Sequence, residues 1–155
     1  GSNISAGADR LTNAGRNGTP QIVAPGCYDL VDIVGWQPVP EKWANHPKHA
    51  HNRLLTSIVL NDEERQLVAR THSRQLAKAK GPVAMILPEQ GLGEWDRKGA
   101  DLHNKAGLDG FLNELQSTLP PNVKQHRIDC HINDDKFAQR ALEIFDAWCV
   151  EGLVA

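Results

Sequence analysis

A three-layer α/β fold, Rossmann-like, with a mostly parallel sheet of about four to five strands flanked by helices, is what the sequence predicts. Two observations carry that prediction. After residue 54, strand-like and helix-like segments alternate three times, the pattern of right-handed βαβ crossovers. Val83-Ala84-Met85-Ile86-Leu87 is also a continuous apolar run of strand length, the mark of a strand covered on both faces.

The elements follow in chain order. Residues 5–17 read as a short helix, with Ser5 as its cap and Gly18 as its stop before Pro20. Residues 21–24 form a short apolar strand that ends at the turn signal Pro25-Gly26, and residues 28–34 read as one or two helical turns. Residues 35–52, rich in Pro, Trp and His and without a steady period, form a long ordered loop. A β-branched strand spans 54–60. Asn61 then caps a helix with Glu63 and Glu64 in its first turn, which runs to about residue 79 and stops at Gly81. Residues 88–105 form a second polar loop. A helix over 108–119 carries Leu108, Phe111, Leu112, Leu115 and Leu119 on one stripe until Pro120-Pro121 ends it. The last strand covers 123–130. The last helix, starting at Asp134 or Asp135, turns Phe137, Ala141, Ile144, Phe145 and Trp148 inward. The expected core is Ile22, Ile58, Val83, Met85, Leu87, Phe111, Leu115, Ile128, Ile144 and Phe145.

Composition narrows the function. The 155 residues fit one domain, with 40% hydrophobic and 23% charged residues and no apolar run near the roughly 18 residues of a membrane helix. A formal charge of −2 gives no basic field for nucleic acid. Cys27, Cys130 and Cys149 are odd in number and scattered, which argues for a reducing, cytoplasmic setting over a disulfide framework or a thiolate zinc site. Gly1-Ser2 reads as a protease-cleavage scar. Residues 3–155 are then a single α/β domain taken from a longer protein.

Ligands of parallel sheets bind beyond the carboxyl ends of the strands, and that rule selects the candidate site. Asp129, His131 and Asn133 alternate at the exit of the last strand. There Asp129 would orient His131 as a general base or phosphate contact, and Asn133 or Asp134 would cap the next helix. Gly91 and Gly93 lie in a loop whose backbone amides suit an anion nest, followed by Trp95 and Asp96. Asp29 follows the first strand, and His51-Asn52 precedes the second as a pair able to hold a phosphate or carbonyl oxygen. His46, His49 and His51 include an HxH pair, but no third and fourth ligand stands at metal spacing, so a loop or ligand-bonding role is preferred and no metal is assigned. Catalytic roles therefore fall to His131, Asp129 and Asp96. Ligand binding falls to Asp29, His51, Asn52, Gly91, Gly93, Trp95 and Asn133.

Several stretches resemble, in order, the C-terminal domain of the Tm-one-like proteins: Ser5-Ala6-Gly7-Ala8-Asp9-Arg10-Leu11, Cys27-Tyr28-Asp29-Leu30-Val31, His51-Asn52, Gly81-Pro82-Val83, residues 91–103 with Glu94-Trp95-Asp96, and His131-Ile132-Asn133-Asp134. The family takes its name from a tomato protein of tobamovirus resistance. The resemblance implies a two-domain protein whose preceding, N-terminal domain is associated with ATP. This domain would then complete a site for a nucleotide or another small phosphorylated or carboxylated ligand, with its own N-terminal domain and a second copy of the chain as partners. The alternative is an interaction or dimerisation module without catalysis. Val59 and Glu89-Gln90 stand where the family pattern has arginines, which removes two cationic positions from this half.

Overall fold

The structure of the chain, a computed structural model, describes residues 2–154. Gly1, half of the expected scar, and Ala155 lie outside the described residues. The elements are α1 (Thr12–Arg16), β1 (Gln21–Val23), β2 (Leu30–Val34), β3 (Lys48–Ala50), β4 (Leu55–Val59), α2 (Asp62–Leu76), β5 (Val83–Pro88), α3 (Lys105–Thr118), β6 (Val123–Ile128) and α4 (Asp135–Val150), with 3-10 turns at Glu41–Trp43 and Glu94–Asp96.

The predicted α/β class holds, with a parallel sheet in the order β1-β5-β6. Period-2 alternation along β5 makes it the middle of three layers. Val83, Met85 and Leu87 face a core shared with Leu76, Phe111, Leu112 and Leu115 of α2 and α3. Ala84 and Ile86 face the other way, onto Phe137 and Ile144 of α4. Every residue of β5 is buried, as the unbroken apolar run requires.

Residues 54–60 do not join that sheet. β4 is the centre of a separate antiparallel sheet, β2-β4-β3, so the parallel sheet has three strands where four to five were expected. The segment read as helical turns, Leu30–Val34, is extended and pairs with β4 from Leu30↔Val59 to Val34↔Leu55. Its β-branched residues fit a pleated surface, and the reversal through residues 35–54 brings β4 back alongside it before any crossover can form. Ile33 packs with Trp43 and Ile58 on one face. On the other, Ser57 donates to Asp32 Oδ1 at 2.6 Å, a polar cross-strand pair in register.

Two helices also differ from expectation. α1 begins at Thr12, and Ser5 does not cap it; Ser5 Oγ accepts from Gly7 N in a local turn. In α4, Phe137, Ala141, Ile144 and Trp148 share the inner stripe, while Phe145, expected in the core, lies 45% exposed about 100° further round the helix. Ile22 is only half-buried because β1 is an edge strand. The other expected core residues are buried. Asn61 and Glu64 form a full capping box at the start of α2.

Candidate functional site

The loops that leave β1, β5 and β6 are joined by backbone hydrogen bonds: Cys27 N donates to Leu92 O (2.9 Å), Gln90 N to Cys130 O (3.0 Å) and Ile132 N to Gly91 O (3.1 Å). All the strand-end candidates of the parallel sheet therefore lie on one face.

His131 is at the centre, buried to 2% exposure. Its Nδ1 accepts from Asn133 N (3.1 Å), which leaves the proton on Nε2. Nε2 then faces two acceptors, Gly93 O at 2.9 Å and Asp96 Oδ1 at 3.1 Å. Asp96 also accepts from Leu92 N (2.6 Å) and Gly93 N (3.2 Å). The amide nest expected to hold a ligand anion is thus present, and the carboxylate of Asp96 fills it. Gly91 is what allows this approach: its φ is +138°, and a Cβ there would fall 2.5 Å from both Asp96 Oδ1 and His131 Cδ2.

Asp129 does not orient His131. Its Oδ1 accepts from Gln90 Nε2 at 2.5 Å, at the surface, and Asp96 holds the imidazole instead. Alternation along the strand puts Asp129 and His131 on one side only if the chain stays extended, and β6 ends at Ile128. Asp134 occupies the N-cap of α4 but makes no side-chain cap bond; its Oδ2 accepts from His131 N (2.8 Å). Asn133 donates to Glu94 Oε2 (2.9 Å), and Arg97 joins Glu94 (3.2 Å) to Asp134 (3.1 Å). These bonds hold both carboxyls below their ordinary range, first through Asn133 for Glu94 and first through the His131 amide for Asp134.

Trp95 lies against two imidazoles, His49 at 4.6 Å and His51 at 4.9 Å between ring centroids. The antiparallel sheet thus meets the strand-end loops through the β3 edge. Asn52 turns away from this contact and accepts from Leu54 N (2.7 Å) and Leu55 N (3.0 Å) in a turn of its own. His46, the third histidine, bonds Val59 O at 2.8 Å. Among the described residues no group of three or more His, Cys, Asp or Glu side chains is arranged to hold a metal.

Asp29 is buried against Arg65 of α2 (3.6 Å). Burial pushes its carboxyl up, the guanidinium opposes this, and Asp96 nearby adds to the rise. Partial burial of the sulfur, with Asp29, Asp32 and Asp96, pushes the Cys27 thiol up to about 11, which favours the thiol over the thiolate at neutral pH although the residue itself is exposed. Between Asp29, Arg65, Asp96 and Asn104 the free space is about 10 Å³, room for one water and no more.

Residue-level reasoning missed Arg65, Glu94 as a partner of Asn133, and Arg97. A signal existed for Arg65, which continues the stripe of Ala69, Ser73 and Leu76 on the buried face of α2. Glu94 and Arg97 act through i,i+3 pairing in a 3-10 turn, for which the loop sequence carries no periodic sign.

Residues 1–149 match the family described as an uncharacterised protein family, UPF0261, C-terminal domain. A UPF0261 protein of Brucella melitensis is 47% identical over 154 residues, 99% of this chain and 37% of the relative. A UPF0261 protein of Clostridium tetani is 29% identical over 136 residues, 87% of this chain and 34% of the relative. The ToMV resistance protein Tm-1 of Solanum lycopersicum is 27% identical over 128 residues, 81% of this chain and 17% of that protein. The chain spans little more than a third of the length of the bacterial relatives it matches.

Proposed function

Because the chain belongs to the UPF0261 family as its C-terminal domain, we propose that it supplies one wall of a ligand site completed by the remainder of a longer cytoplasmic protein. The ligand class is a small phosphorylated or carboxylated molecule, with ATP, held mainly by an N-terminal domain, as the first candidate. One observation carries this reading. Trp95, His51, Glu94 and Asn133 are gathered at the carboxyl ends of the parallel strands, where ligands of such sheets bind, around a hydrogen-bonded centre that encloses no ligand-sized cavity of its own. A wall without a cavity needs a facing wall. In this role Trp95 and the two imidazoles offer a stacking surface. His131, oriented by Asp96 and the Asn133 amide, holds an Nε2 proton that a ligand oxygen would receive if Asp96 swung aside.

Calorimetric titration of ATP into the longer Brucella relative and into this domain alone tests the proposal. Binding is expected in the longer protein, weakened at least about tenfold by Trp95→Ala at the equivalent position, which is roughly 1.4 kcal/mol of stacking. An affinity unchanged by that substitution would remove this domain from the site.

A second reading, docking or self-association, has its own support. α4 carries an outer apolar stripe of Leu142, Phe145 and Val150, all exposed, beside the inner one it needs for the core. No helix among the described residues is long and apolar enough to cross a membrane.

A further inference from the structure

A cavity lies on the opposite side of β1 from β5. β1 and β2 are the facing edges of the two sheets, and the gap between them is a cavity of about 1030 Å³, bounded by α2 and by the segment that precedes α1. This is the upper end of the range for small-molecule sites. Another cavity, beside α4, has about 380 Å³.

The walls have a definite chemistry. Ile22, Leu30, Leu60 and Val68 supply an apolar body. Of the charged residues on the lining, Asp32 is turned toward the antiparallel sheet, where its Oδ1 accepts from Ser57. Arg10, the cation of the lining, has no ion-pair or hydrogen-bond partner among the described residues. Arg10 and Tyr28 line the same cavity, and burial raises the phenol while the Arg10 charge opposes the rise. Among the described residues none bonds the Tyr28 hydroxyl, and the Tyr28 ring lies 4.0 Å from that of His72, centroid to centroid. Burial holds His72 down at about 4, so it adds no second positive charge at neutral pH. His72 Nδ1 and Gln75 Oε1 are buried without a hydrogen-bond partner, a cost that a folded chain rarely carries without a use for it.

We propose that this cavity binds a small organic acid, its carboxylate at Arg10 and Tyr28 and its apolar body between Ile22, Leu30 and Val68. One unneutralised cation, one free hydroxyl and aliphatic walls suit a monoanion with a hydrocarbon remainder. They do not suit a polyphosphate, which would need several donors. Nothing in this site overlaps the Trp95 surface, so the two proposals stand or fall separately.

The test uses two matched pairs of probes, phenylacetate with phenylacetamide and 4-methylvalerate with its amide, titrated into the 155-residue chain and followed by amide and imidazole NMR shifts. In at least one pair the acid is expected to give saturable shifts at Ile22, Tyr28 and His72, with an affinity about three- to fivefold above that of its amide, the ratio that one contact to an exposed cation provides. Arg10→Gln, an exposed position that the fold does not depend on, should bring acid and amide within about twofold by the same reckoning. Equal affinity of acid and amide in the unmodified chain overturns the proposal. So does the absence of saturable shifts with all four probes.

Discussion

Asp96 is the residue on which the strand-end loops depend, since it accepts from two backbone amides and faces His131. Asp96→Ala should cost roughly 2 to 4 kcal/mol in chemical denaturation, because hydrogen bonds to a charged acceptor are worth about 1.5 to 3 each. Acetate or formate should recover part of that loss by entering the emptied nest, seen as a rise in Tm with concentration in the variant and not in the unmodified chain. His72 gives a prediction in pH. With its folded value near 4 against an ordinary 6.5, the unfolded chain binds the proton first as pH falls. The neutral ring is therefore fully tolerated above pH 6.5, and stability drops by up to about 1.4 kcal/mol per unit between 6.5 and 4. His72→Leu should flatten that part of the profile relative to the unmodified chain. The identity of His131 and Asp96 as partners was legible in sequence only as membership of one face. That Asp96 turns inward, and Asp129 outward, depends on a positive φ at Gly91 and on β6 stopping at Ile128, neither of which residue types alone disclose.

At the scale of elements, α4 shows how a one-residue error in helical phase matters. Ile144→Ala should cost about 2 to 4 kcal/mol, as core truncations do, whereas Phe145→Ala should stay within about 1 kcal/mol. Equal losses in urea denaturation would mean that the inner stripe is wrongly placed. The capping box of α2 gives a second measure: Asn61→Ala should cost about 1 kcal/mol. Glu64→Ala should cost more, because Glu64 Oε1 also accepts from Trp43 Nε1 at 2.8 Å and its removal strands a buried indole donor. β5 and α2 were legible because an apolar run and a cap with its first-turn acids are local signals. β2 was not, since a five-residue β-branched segment becomes strand or helix according to what lies beside it, and its partner is more than 20 residues away.

For the whole molecule the point of interest is the joint between the sheets. Asp29 lies on the link from β1 to β2, its carbonyl accepts from Leu60 N (2.9 Å) at the end of β4, and Arg65 of α2 bonds Leu60 O (2.9 Å) while facing the Asp29 carboxylate. Arg65→Met should cost about 3 to 5 kcal/mol by leaving a buried carboxylate alone, and adding Asp29→Asn should recover a substantial part. Additive losses in that cycle would show that the two groups act separately. The α/β class was readable from the rhythm of elements. The split into two sheets was not, because sequence order does not say which strand a returning chain will meet first. The filled nest has one more consequence. A tethered carboxylate competes with any incoming anion at an effective concentration in the millimolar range or higher, so a weak anion is turned away, and under the function proposed above only a ligand able to displace Asp96 would reach these amides.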